Sequence, residues 1–322
     1  MNDPGPMVWM STWTLAVLAL LLACNRPNQH GDSDDALPQP VRAQATSSTT
    51  EKLLRWLDPD ASAMCYMRRL ESLDLDTLAV VFAVPPRPAK LMRDAFDTWD
   101  DLRATLGPGA PDPSTWLSAD VLVMQPRTSL ASYAVRALAV PRSEVERMLG
   151  EAGMTSTVME GLTMYVPRGA FPWKLVFLDD DVLGFVPIKA VAAPLNPFTA
   201  GRDLPPSQLE TELVKALESD PDDVLELYAE GPFLHMDLDQ DVEGVRFSLR
   251  RWQGAGLDGV VKLQIAESPD GAVTQLAARK AGLETDVVQD LMHRVAFVVE
   301  GPMVQGRLQL TPQDVHAIVE RR

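Results

Sequence analysis

The sequence predicts an α+β fold of antiparallel sheets with packed helices, and three observations carry that expectation. Val245, Phe247 and Leu249 alternate with Arg246, Ser248 and Arg250, and Val261, Leu263 and Ile265 repeat the pattern. Period-two alternation with one polar face is the mark of antiparallel strands that bury one side only. Elsewhere apolar residues recur at helical spacing, most clearly at Leu91, Met92, Ala95, Phe96, Trp99 and Leu102. Finally, Ser132–Gly153 and Gly259–Gly282 each read as a strand, a short Pro-containing turn and a helix ending in Gly, with a strand pair following in each half. That predicts two related β-α-β-β units packed as a pseudo-dimer.

The chain of 322 residues is 46% hydrophobic, enough for one large domain or two modest ones. Its formal net charge of −16 opposes binding to nucleic acid or to anionic lipid surfaces. No nucleic-acid partner and no cofactor are expected.

At the N-terminus, Leu15 to Ala23 is an uninterrupted apolar run with a small residue at its end, followed by Cys24 and then polar, Pro-rich sequence. Such a run is the core of a secretory signal. The stretch Leu21-Leu22-Ala23-Cys24 resembles the bacterial lipobox. The resemblance implies cleavage between Ala23 and Cys24, a thioether-linked diacylglycerol on the Cys24 thiol and an acyl chain (palmitate or similar) on its amine. Asn25 stands where an Asp would mark inner-membrane retention, so the outer membrane of the cell envelope is the expected location. The n-region carries no Lys or Arg, and Met7 or Met10 could serve as the start in place of Met1. An uncleaved membrane helix over residues 7–24 is the alternative, at the short end of the roughly 17–25 residues needed to span. Residues 25–50 show no apolar period and read as a disordered tether, with a reach of roughly 25–30 Å. Residues 1–23 are thus assigned to the signal, 24–50 to the lipidated Cys and tether, 51–200 to an N-terminal α+β unit and 201–322 to a C-terminal one; 51–322 could equally form one domain.

Within the body, Glu51–Leu57 reads as a short amphipathic helix. Asp58-Pro59 predicts an N-cap and a helix to about Ser72, which would hold Cys65 as a small buried hydrophobe. Asp76–Val84 reads as a strand stopped by Pro85 and Pro86. The helix containing Leu91 follows and ends at Gly107. Its acids Asp94, Asp97, Asp100 and Asp101 read as a solvated face. Strands are expected near Asp120–Met124 and Ser132–Val140, then a helix opened by a capping box at Ser143 and Glu146. Strands at Thr155–Met159, Leu162–Val166, Trp173–Leu178 and Val182–Val186 come next. Leu195–Pro206 is the best internal boundary. A second capping box at Ser207 and Glu210 opens a helix buried through Leu209, Leu213, Val214 and Leu217. Leu234, Met236 and Leu238 read as the first strand of a meander. Two helices, strands at Val295–Glu300 and Val304–Leu310, and a helix capped by Thr311 and Asp314 complete the chain.

Candidate chemistry is sparse. His235, Asp237 and Asp239 alternate on one strand face with Asp241 nearby, a weak metal set. The Asp237-Leu-Asp239-Gln-Asp241 run echoes an EF-hand loop, but Val242 stands where that loop needs Gly and Ser248 where it needs Glu. The competing reading is charge complementarity with Arg246 and Arg250 across a hairpin. Asp179-Asp180-Asp181 could hold Ca²⁺ or simply form a hairpin loop. Local motifs for hydrolases, zinc sites and nucleotide loops are missing. The body resembles predicted bacterial lipoproteins in which β-α-β-β units are duplicated, and that resemblance implies no activity. The expected function is a lipid-anchored, non-catalytic binding or structural module of the cell envelope. Its expected partners are the membrane, through Cys24, and an envelope protein, peptidoglycan or another envelope component. The alternatives are a carrier of lipid or a hydrophobic ligand and, third, a carboxylate-dependent enzyme.

Overall fold

The computed structural model describes residues 49–68, 74–107, 110–127, 131–167, 172–188, 206–219, 223–233, 241–252, 255–281 and 287–319. The signal and tether, with Ala23 and Cys24, lie outside them, as do the 195–205 boundary segment and the strand expected over 234–238.

Twelve strands form one wholly antiparallel sheet. They are β1 (Ala61–Met67), β2 (Val121–Pro126), β3 (Tyr133–Ala137), β4 (Thr155–Met159), β5 (Leu162–Val166), β6 (Trp173–Phe177), β7 (Val182–Pro187), β8 (Asp223–Phe233), β9 (Val242–Trp252), β10 (Gly256–Ile265), β11 (Ala296–Glu300) and β12 (Met303–Leu310). Their order is β11-β12-β10-β9-β8-β1-β2-β3-β7-β6-β5-β4. The helices are α1 (Leu75–Val81), α2 (Pro86–Leu106), α3 (Arg142–Glu151), α4 (Gln208–Ser219), α5 (Pro269–Ala281), α6 (Val287–Arg294) and α7 (Pro312–Val319), with a further helical segment at 49–54.

The α+β class is as the sequence predicts. Three strands adjacent in the sheet open each half, β1-β2-β3, with α1 and α2 between β1 and β2, and β8-β9-β10. A helix follows the third strand, and the chain then returns so that its last strand lies beside that third strand, β7 beside β3 and β12 beside β10. The N-terminal half carries one more hairpin than the C-terminal half. The halves meet where β1 pairs with β8, Cys65 opposite Leu227.

Two expected elements exchange type. Residues 61–67, expected to be helical, are β1, and Leu75–Val81, expected to be a strand, is α1. All seven residues of β1 are buried, because strands flank it on both edges and side chains cover both faces. A strand buried on both faces has no alternation to read. Cys65 is therefore a buried strand residue, not a helical one, and burial pushes its thiol pKa up. Helix α1 is set by Asp74, whose carboxylate accepts hydrogen bonds from the backbone N–H groups of Asp76 (3.0 Å) and Thr77 (3.2 Å). Asp74→Ala is expected to cost about 1 kcal/mol in urea unfolding, the usual worth of an N-cap.

Capping patterns fare unevenly. At α7 the box closes both ways: Thr311 N–H donates to Asp314 at 2.7 Å and Asp314 N–H to the Thr311 hydroxyl at 3.3 Å. At α4 the Ser207 hydroxyl accepts from Glu210 N–H at 3.1 Å. At α3 the box does not form. The helix starts at Arg142 after Pro141, and Glu146 pairs with Arg142 at 2.9 Å. The α2 acids are not all solvated either. Asp94 is buried, bound by Lys90 at 2.6 Å and by the Ser132 hydroxyl, and Asp101 accepts from the Trp173 indole N–H at 3.3 Å.

The sheet has a core on each face. Face one carries the larger cluster, with Leu78, Phe82, Met92, Leu149, Phe177, Phe247, Leu276, Leu291 and Ile318 packed on Cys65, Val123, Leu227 and Val261. Among the described residues, face two is covered over the N-terminal half, by Leu53 and Trp56 and by Leu209, Leu213 and Leu217 of α4, which pack on Met64, Tyr66, Leu122 and Val135. Buried hydrogen bonds hold this lid: Thr50 to Tyr66 at 2.8 Å and the Tyr133 hydroxyl to Asp58 at 2.5 Å.

Candidate functional site

Beyond α4, no described element covers face two of the C-terminal half, and its side chains are charged. Registers across β8, β9, β10 and β12 place them on a grid. One row reads Tyr228, Arg246, Lys262, Gln305; the next Glu226, Ser248, Val260, Arg307; the third Asp223, Arg250, Asp258, Gln309. The alternation that buries Val245, Phe247, Leu249, Val261 and Leu263 on face one obliges their neighbours to stand here. Glu212, Ala216 and Ser219 lie at helical i, i+4 and i+7 on α4. Glu212 reaches Arg246, and Ala216 and Ser219 form one wall. The cleft so formed has a volume of about 510 Å³.

Its electrostatics are specific. Asp258, only 4% exposed, receives both arms of Arg307, Nε at 3.0 Å and Nη2 at 2.7 Å, and Arg250 approaches it at 3.4 Å. Arg246 pairs with Glu212 at 2.7 Å. Glu226 is also 4% exposed. Burial, with the charge of Asp223 beside it, pushes its carboxyl up to about 8, against a weaker downward pull from Tyr228 and Arg250. Burial thus favours the protonated form of the Glu226 carboxyl. Lys262, half-buried, has no ion pair or hydrogen bond among the described residues. Four cations (Arg246, Arg250, Lys262, Arg307) and four acids (Glu212, Asp223, Glu226, Asp258) line or border the cleft.

The residues singled out from sequence are distributed differently. Arg246 and Arg250 do stand on the open face, but their described partners are Glu212 and Asp258. His235, Asp237 and Asp239 lie outside the described residues. Asp180 and Asp181 of the β6–β7 loop pair with Arg142 (3.5 Å) and Lys52 (3.0 Å), and Asp179 accepts from Asp181 N–H at 2.7 Å, which is hairpin-loop chemistry. Among the described residues no cluster of three or more His, Cys, Asp or Glu side chains could hold a metal ion. Glu226, Asp258, Lys262 and Arg307 escape a sequence reading. The signal that could have found Glu226 is the run Val224-Leu225-Glu226-Leu227-Tyr228, a strand with an acid between apolar neighbours.

No protein-family model matches the chain, and no curated protein matches it. Two solved structures of the treponemal protein TP0453 are similar. Crystal form I has a TM-score of 0.45 at 11% identity, and crystal form III 0.46 at 12%. Each alignment covers 83% of this chain and 96% of the other.

Proposed function

We propose that this chain is a lipid-anchored protein of the cell envelope, attached through Cys24 to the outer membrane, whose body is a non-catalytic binding module. The observation that carries the binding role is the charged face of β8, β9, β10 and β12, displayed on strands whose opposite face packs Val245, Phe247, Leu249, Val261 and Leu263 into the core. Charged groups held on rigid strands suit recognition. A lining of Arg, Lys and carboxylates suits a polar partner better than an acyl chain, which favours the module over the hydrophobic-ligand carrier. The anchor rests on the Leu21-Leu22-Ala23-Cys24 stretch. Among the described residues no helix is long and apolar enough to cross a membrane.

Wild type is expected to incorporate a palmitate analogue and to sediment with membranes, and Cys24→Ala to do neither. Unlabelled wild type would overturn the anchor. For the binding role, a photo-crosslinker at Gln305 in the cleft is expected to capture an envelope component that the same group at Glu160, on the β4–β5 turn, does not. The captured species is then identified by mass spectrometry and rebound in purified form. Equal capture from both positions would remove the cleft from the proposal.

One observation favours a second reading, a carboxylate-dependent enzyme: a buried Glu226 whose carboxyl is pushed up, beside Asp223 in a cleft, is the arrangement of a general acid. Turnover of an envelope polymer that is abolished by Glu226→Gln would select it.

A further inference from the structure

We propose that the cleft is an oxyanion site, which takes a carboxylate or phosphate carried by a larger envelope molecule, with Lys262 as its principal ligand. The assignment rests on the reading of this face as a binding surface and names the chemistry that it recognises.

The register supplies the first reason. Lys262 stands directly opposite Arg246. Like charges opposed across antiparallel strands repel, and a sheet normally places a carboxylate between them. Arg246 has Glu212; Lys262 has no counter-charge among the described residues. The second reason is convergence. Arg307 lies diagonally from Lys262, because its register partner is Val260, two residues along β10. Its guanidinium is already aligned by Asp258. A guanidinium fixed in this way presents its remaining N–H donors without further loss of side-chain entropy.

Shape is the third reason. The floor between the cations is Ser248 and Val260, two short side chains, so the space above them is open. The Ser248 hydroxyl has no partner among the described residues and is a ready donor. Across Ser248 stands Glu226, whose burial disfavours the charged form that would repel an incoming anion. The acidity of the chain as a whole argues against polyanions. It does not act against a single anionic group held between Lys262, Arg246 and Arg307, because charges on the rest of the chain beyond a Debye length of roughly 8–10 Å are screened.

The test is isothermal titration of the full chain, purified in detergent, with N-acetyl-D-alanyl-D-alanine as a carboxylate probe and glycerol 3-phosphate as a phosphate probe. Saturable one-to-one binding of at least one probe is expected, and which one binds identifies the source of the oxyanion. Lys262→Ala is expected to weaken that binding about tenfold or more, the range of one lost charged hydrogen bond. Lys262→Arg should keep it within about threefold. Lys215→Ala, the same charge change at an exposed α4 position outside the cleft lining, should leave it unchanged. Ser248→Ala provides a second cleft variant with no change of charge and is expected to weaken binding as well. Absence of saturable binding by both probes, equal binding to Lys262→Ala and wild type, or an equal loss in Lys215→Ala would each overturn the assignment. Flat titrations alongside crosslinker capture from Gln305 would leave the binding module standing and remove only the oxyanion.

Discussion

Phe82→Ala is expected to destabilise the protein by about 3–5 kcal/mol, the range for deleting a fully buried aromatic. Phe82 is wholly buried where the chain leaves α1. Its ring packs against Phe247, centroids 4.9 Å apart, and covers Gly259 in the middle of β10. A Cβ at Gly259 would stand 2.2 Å from the ring. Glycine in a strand interior costs backbone entropy and is kept where another group must approach closely. Gly259→Ala is therefore expected to cost about 1–3 kcal/mol by overpacking. Phe82→Leu should relieve part of that cost, so the double variant would be more stable than the sum of the singles. Denaturant unfolding followed by tryptophan fluorescence measures all three. A neutral Gly259→Ala would show that the ring is not held against β10. Gly306 and Phe297 repeat the arrangement between β12 and β11, with the ring 2.5 Å from the Cβ position.

Glu226→Gln is expected to flatten the dependence of stability on pH. The native carboxyl titrates near 8, and in the unfolded chain near its ordinary value of 4.5. Between these values the native state holds a proton that the unfolded state has released. This contribution to stability is thus complete below about pH 4.5 and is lost as pH rises through about 8. At one unit per 1.36 kcal/mol the window is worth on the order of 2–4 kcal/mol once relaxation around the site is allowed for. Wild type and variant should have similar stability at pH 5, and the variant should be the more stable at pH 9. The groups around the carboxyl include Tyr66, its register partner on β1, Asp223 and Tyr228 on β8 and Arg250 on β9, with Arg246 and Glu212 next to Tyr228. Asp223→Asn removes the largest of the charge effects that raise the Glu226 value and should move the window to lower pH. Parallel wild-type and Glu226→Gln profiles would contradict the assignment of the proton.

Legibility in the sequence follows burial geometry. Strands β9, β10 and β12 could be read because one face is packed and the other polar, so every second residue announces itself. Strand β1 could not, since ASAMCYM is buried on both faces and carries no period. The alternation at 234–238 predicts a strand there and none over β8. Helix α1 reads as a strand because its β-branched run, LDTLAVV, favours one locally. The Asp74 cap and the burial of Leu75, Leu78 and Val81 override that preference. The Ser143–Glu146 box failed because Pro141 begins the turn two residues earlier.

By itself, then, the sequence determined the antiparallel α+β class, most helices and the polarity of the face on which Arg246 and Arg250 stand. The proposed chemistry at Cys24 also comes from the sequence alone. Tertiary structure alone decided which strands are neighbours, and with that the cleft. Glu226, Arg246, Lys262 and Arg307 come from four strands spread over more than eighty residues. Local periodicity specifies which face a side chain takes, because that depends on its immediate neighbours in the chain. It carries no information about pairing partners, which are selected only when the whole sheet and its two cores form together.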